Sequence, residues 1–155
     1  MGKTRKLPIS QKHRQVNVHI ENSQRDLPLK KRYIAQIVEE VLEFLKVDCS
    51  EISIYFVTKK QISSLHDQFF EDPSPTDCIS FPLDNEHLGE VFVCPKVALE
   101  YTRGIHPFKE TILYVIHGIL HLLGYDDLSP KDKRGMRRME KKCMDHIKLR
   151  HVLER

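Results

Sequence analysis

No apolar run in this chain approaches the ~20 residues that a membrane-spanning helix needs, so no helical membrane span is expected. The opening, Met1 to Arg14, is basic and lacks the apolar stretch of a secretory signal, which points to a cytoplasmic protein. The four cysteines, Cys49, Cys78, Cys94 and Cys143, form no C-x-x-C pair. Their wide spacing argues for reduced thiols in apolar surroundings rather than disulfides or a zinc knuckle. Internal repeats and low-complexity segments are missing, which excludes solenoids and biased tracts. So is any compact RNA-binding motif.

What remains is an ordinary globular composition: 155 residues, 40% apolar and 30% charged, enough for one domain with a real core. The net charge of +3 conceals an asymmetry. Residues 1–15 carry +5, residues 131–155 carry +6, and residues 16–130 between them carry −8. Basic ends on an acidic body suit contact with a polyanion. Charge alone, however, favours the simpler reading that Lys/Arg-rich helix faces are solvated.

The elements follow from periodicity. Val16-Asn17-Val18-His19-Ile20 alternates as a half-buried strand, with His19 on its polar side. Pro28 precedes a helix from about Leu29 to Lys46, striped by Ile34, Ile37, Val38, Val41 and Leu45, with Glu39, Glu40 and Glu43 on the wet face. Ile52 to Val57 is a β-branched and aromatic strand. Thr58 caps a short helix through Leu65 to Phe70 and leaves His66 exposed. Pro73 and Pro75 break the following stretch into a loop that delivers Thr76 and Asp77 to a strand at Cys78–Phe81. On spacing alone Thr76 and Asp77 are turn residues. After a polar connection, with His87 in the loop, Leu88 to Cys94 is a strand. Pro95 starts a helix through Tyr101, and Pro107 starts another. Glu110, in the first turn of that helix, suits its dipole; a partnership with His117, two turns on, is the second reading. Ser129-Pro130-Lys131-Asp132 opens the last helix, striped by Met136, Met139, Cys143 and Ile147. The order predicts an α+β domain over 16–155, a small mixed sheet packed by helices with the site at one end, preceded by a flexible basic tail over 1–15.

The stretch Thr111 to Leu123 is apolar on almost every side, as in a buried helix. Two histidines inside it, His117 and His121, are costly unless their ring nitrogens are satisfied. Four residues apart, they project from one face one turn above the other, the spacing that offers two imidazoles to one metal ion. The helix is expected to stop at Gly124. Tyr125, Asp126 and Asp127 then reverse the chain and bring a carboxylate back over the rings. Two imidazoles and a carboxylate leave a fourth zinc position open, the pattern of catalytic sites. A bare pair at this spacing is more often two core histidines bonded to backbone carbonyls. The full string His117-Gly118-Ile119-Leu120-His121-Leu122-Leu123-Gly124-Tyr125-Asp126-Asp127 is far more specific.

That string resembles the signature of the YbeY family of metal-dependent endoribonucleases, His-Gly-x-Leu-His-Leu-x-Gly-Tyr-Asp-His, in all but its last residue. Pro75-Thr76-Asp77-Cys78-Ile79-Ser80-Phe81-Pro82 is similar to the family's Pro-Thr-Asp-Val-Leu-Ser-Phe-Pro, and Leu88-Gly89-Glu90-Val91 to its Leu-Gly-Asp-Ile. The likeness spans roughly Val16 to Leu149. Two departures stand out: Asp127 replaces the family's third histidine, and Phe70 falls where an arginine is usual.

The resemblance implies a single-strand-specific endoribonuclease acting in ribosomal RNA maturation and ribosome biogenesis, with ribosomal RNA and the ribosome as partners and no nucleotide cofactor. The expected ligand set is His117, His121 and Asp127 around one divalent ion, zinc first. Its bound water, with the pKa lowered towards ~7, supplies the nucleophile. The RNA's own 2′-hydroxyl is the alternative nucleophile, and the general base is unassigned. Thr76 and Asp77 are placed near the site by the family match. Arg134, Arg137 and Arg138 are candidates for the RNA backbone. Phe69, Phe70 and Phe81 could stack bases but read first as core. A zincin peptidase is the alternative enzyme. Its H-E-x-x-H glutamate is replaced here by Gly118, which weakens that reading. A non-catalytic ribosome-associated factor with a structural metal is the alternative class.

Overall fold

The computed structural model describes residues 16–84 and 86–149; the basic segment 1–15 lies outside them. Four strands form the sheet: β1 (Asn17–Asn22), β2 (Glu51–Phe56), β3 (Cys78–Pro82) and β4 (His87–Val93). Five helices accompany it: α1 (Lys31–Phe44), α2 (Lys59–Phe70), α3 (Pro95–Thr102), α4 (Pro107–Leu122) and α5 (Pro130–Leu149). The strand order is β1-β2-β4-β3, with β1, β2 and β4 parallel and β3 antiparallel to β4. This is the mixed α+β sheet expected from the order of elements.

Period two sorts the strand residues between two faces. Ile20, Ile52, Ile54, Phe56, Val91 and Val93 face the main core, which α1, α4 and α5 complete with Ile34, Ile37, Val41, Ile112, Ile116, Ile119, Met136, Cys143 and Ile147. The other face carries Tyr55, Ile79 and Phe92, packed with Ile62 of α2. Helix α4 is therefore sandwiched between the sheet and its fellow helices. Burial runs nearly all round it, from Thr111 to Leu120, as its composition predicts.

Local chemistry sets the boundaries. Thr58 and Gln61 form a capping box at α2: the Thr58 hydroxyl accepts from the Gln61 N–H, and the Gln61 side chain accepts from the Thr58 N–H. Ser129 accepts from the Asp132 N–H at 3.0 Å at the start of α5. Helix α4 ends at Leu122, and Gly124, at φ 100°, closes it as a Schellman turn. There the Gly124 N–H donates to the His121 carbonyl and the Tyr125 N–H to that of Leu120.

Several local expectations need correction. Phe69 and Phe70 are not core; they are 54% and 56% exposed, because α2 rides the rim of the sheet and buries only Ile62. Phe81 is half-buried with its ring 4.8 Å from Phe69. His66 is half-buried, its Nδ1 2.8 Å from the Ser74 carbonyl, so it pins the proline loop. His87 opens β4 rather than lying in the loop, and pairs with Asp84 and Glu51. Glu40, read as wet, is half-buried beside His146 at 3.5 Å.

Candidate metal centre

Helical periodicity places His117 and His121 on one face of α4, and the turn closed by Gly124 returns Asp127 towards them. The Nε2 atoms of the two rings lie 3.1 Å apart. The Asp127 carboxylate stands 3.6 Å from His117 Nε2 and 3.9 Å from His121 Nε2. Donors bound at ~2.0–2.1 Å to one tetrahedral ion lie roughly 3.3 Å from one another. One ligand atom from each residue lies within 4.8 Å of the others, so the three form a His-His-Asp cluster that could hold a metal ion. Asp126 turns elsewhere and accepts from the Leu128 N–H at 3.2 Å, the local bond that aspartate makes in turns.

The fourth participant is Glu140 of α5, which sequence reasoning passed over. Its carboxylate lies 2.6 Å from His117 Nδ1, with the two side chains only 15% and 20% exposed. An ionised carboxylate can only accept, so the proton sits on Nδ1 and Nε2 keeps its lone pair. The carboxylate–histidine arrangement around metal ions has this form. A signal for it was in the sequence: Glu140 is one turn beyond buried Met136 and three residues before buried Cys143, so an acid interrupts the apolar face and needs a partner. Glu110 does not take this role. It pairs with Tyr114 on the same helix.

The cluster borders a cleft of ≈ 660 Å³ between α3, α4, α5 and the proline loop. Thr76 and Asp77 line it, as do Glu110, Tyr114, His117, Asp127 and Glu140. Asp77 is at once a turn residue and a cleft residue, since its carboxylate accepts from the Cys78 N–H at 2.6 Å. Of the three arginines singled out from sequence, Arg137 lines this cleft, while Arg134 and Arg138 line an adjoining depression beside Tyr125 and Lys131.

Negative potential dominates the inner cleft. Burial and then the charges of Glu110 and Asp77 push the Tyr114 hydroxyl well above its ordinary value. The Cys78 thiol is raised by burial and then by Asp77, Glu140 and Asp127. Burial on its own would push His117 down. The Glu140 hydrogen bond and charge, with Asp77 and Asp127 behind them, outweigh it and hold His117 above the ordinary imidazole value. Asp77 contributes to all three shifts, with Glu110, Glu140 or Asp127 beside it, so carboxylates crowd this cleft.

Gly118 explains why α4 comes so close to the sheet. A Cβ there would lie 2.4 Å from Val91 Cγ1 and 3.1 Å from Ser80 Oγ, and the Ser80 hydroxyl donates to the Gly118 carbonyl at 2.9 Å. The position that carries the glutamate in H-E-x-x-H peptidases thus has no room for a side chain.

The chain is similar to known proteins over most of its length. The family described as endoribonuclease YbeY matches residues 19–148. An endoribonuclease YbeY from Protochlamydia amoebophila is 43% identical over 141 residues, 86% of this chain and 94% of its own. The Chlamydia pneumoniae protein of the same name is 37% identical over 150 residues, covering 89% and 95%. Among solved structures, the solution structure of TM1509 from Thermotoga maritima superposes with a TM-score of 0.58 at 26% identity, covering 84% of this chain and 88% of that one.

Proposed function

This chain belongs to the endoribonuclease YbeY family, and from that premise we propose that it hydrolyses phosphodiester bonds of single-stranded RNA in ribosomal RNA maturation, with one divalent ion, zinc first, held by His117, His121 and Asp127. The observation that carries the reading is the convergence of two imidazole Nε2 atoms and one carboxylate beside a cleft with cationic side chains on one wall. When bound, the ion supplies Lewis acidity towards a phosphoryl oxygen and lowers the pKa of water.

The chain's own groups divide the remaining work. Glu140 keeps the His117 proton on Nδ1 and so presents Nε2 as a donor atom. The loop carrying Thr76 and Asp77 is tied to β4 by the Cys94 N–H, which donates to the Asp77 carbonyl at 3.0 Å, so that wall is fixed. Lys133 and Arg137 supply positive charge for phosphate. Arg134 and Arg138 extend it towards the neighbouring depression. Phe70 offers no charge in place of the family's arginine, so phosphate binding falls on α5. Among the described residues no helix is long and apolar enough to cross a membrane, and we place the protein's work on ribosomal RNA in the cytoplasm.

The peptidase reading is disfavoured by the family and by the steric closure at Gly118. The test is cleavage of a single-stranded ribosomal RNA fragment, with and without chelator. Loss with chelator and return with zinc or another divalent ion is expected. Chelator-resistant cleavage, or a peptide cut in place of the RNA, contradicts the proposal.

A further inference from the structure

Tyr101 is the most exposed aromatic side chain among the described residues, at 75%, yet it lies in the wall of the metal cleft. It sits in the last turn of α3 and shares the cleft lining with Val97 and Pro75. Tyr114 of α4, Glu110 and Asp77 line the same cleft. Helix α5 contributes Lys133 and Arg137 to the same cleft.

Asp77, Glu110, Asp127 and Glu140 repel phosphate, and Lys133 and Arg137 are the cationic side chains in the cleft lining. A sugar–phosphate backbone therefore follows Lys133 and Arg137. The neutral part of a nucleotide is then left to face Tyr101, whose open ring offers a π-surface at no cost in displaced protein contacts. We propose that the cleft holds an unpaired RNA nucleotide crosswise, its base stacked on Tyr101 and its phosphates along Lys133 and Arg137. This rests on the ribonuclease reading and adds to it the residue that senses whether a base is free. A base within a duplex is already stacked on both faces and cannot turn onto the ring, whereas single strands bind by such platforms. Aromatic stacking tolerates all four bases, so the subsite selects strandedness rather than sequence.

The experiment measures binding of a short fluorescent RNA to the full chain by anisotropy, in chelator so that nothing is cut. Wild type is compared with Tyr101→Ala, Tyr101→Phe and Arg137→Ala, each against the single strand, its duplex, and a strand with abasic sites. Tyr101→Ala is expected to weaken single-strand binding about ten- to hundred-fold, the usual range for losing one stacked base. Its salt dependence and thermal stability should not change. Tyr101→Phe should restore binding to within about two-fold, and the Tyr101→Ala effect should vanish on the duplex and on abasic RNA. Arg137→Ala should flatten the salt slope by about 0.7. If Tyr101→Ala binds like wild type while Arg137→Ala is weakened, the stacking proposal is overturned and the ribonuclease reading stands. A wild-type chain that does not bind the single strand, and does not cleave it once zinc replaces the chelator, overturns both.

Discussion

His117 has both ring nitrogens committed, Nδ1 to Glu140 and Nε2 to the point where His121 and Asp127 meet. Glu140→Gln keeps the shape and removes the charge, so metal affinity at neutral pH should fall about 10- to 100-fold, as titration calorimetry would read it. The pH dependence has a definite sign. A proton competes with the metal for Nε2 below the raised His117 value. Without the Glu140 charge burial dominates and that value falls. The midpoint of the acid-side decline in metal affinity should therefore lie at lower pH in Glu140→Gln, even though its affinity at neutral pH is weaker. In the metal-free protein the His117–Glu140 pair contributes stability that is complete below the ordinary imidazole value and fades as pH rises through the raised one. A midpoint unchanged or moved upward would mean that Glu140 does not govern the ring. At the third ligand, Asp127→Ala should lose the metal, Asp126→Ala should keep it, and Asp127→His should retain it with weaker acceptance of manganese, because a carboxylate oxygen is harder than imidazole. Retention by Asp127→Ala together with loss by Asp126→Ala would reverse the assignment.

At the scale of elements, α4 carries the ligands and its seat on the sheet fixes their position. Gly118→Ala forces a methyl into Val91 and should cost about 1–3 kcal/mol in chemical denaturation, the usual penalty for overpacking. A neutral result would mean that the helix can ride higher on β4 than it does. The elements themselves were readable because each has a local cause: period two in β2, the Thr58 box at α2, Pro107 and Gly124 at the ends of α4. The histidine pair and the returning Asp127 were readable for the same reason, since they lie within one helix and its closing turn. Glu140 was readable only in part: its spacing to Met136 and Cys143 marks an acid in need of a partner, but that partner is 23 residues away across a helix–helix contact that no local period encodes. Phe69 and Phe70 misled because aromatic residues suggest a core, and only tertiary placement puts the end of α2 at the rim. Tyr101 was passed over because an exposed tyrosine on a short helix becomes informative only once Lys133 and Arg137 of α5 are seen in the same cleft.

Over the whole molecule, acidic and basic side chains meet in one cleft, to which α5 contributes Glu140 as well as Lys133 and Arg137. The charges of α5 are unequal in value. Lys133 and Arg137 line the cleft, whereas Lys141 is already paired with Asp145 at 3.0 Å. Each phosphate contact on a single strand contributes about −0.7 to the slope of log affinity against log salt. Neutralising Lys133 and Arg137 should therefore flatten that slope more than neutralising Lys141 and Lys142, and equal effects would argue for diffuse attraction in place of a track. Beneath these refinements lies the claim that one ion, shared by His117 and His121, is needed for RNA cleavage. Metal content and cleavage of the same RNA, determined on the same preparations of wild type and His117→Ala, test it most directly. Wild type should carry about one zinc per chain and cut, and His117→Ala should stay folded, lose the metal and stop cutting. Full occupancy and full cleavage in His117→Ala would contradict the assignment of the centre.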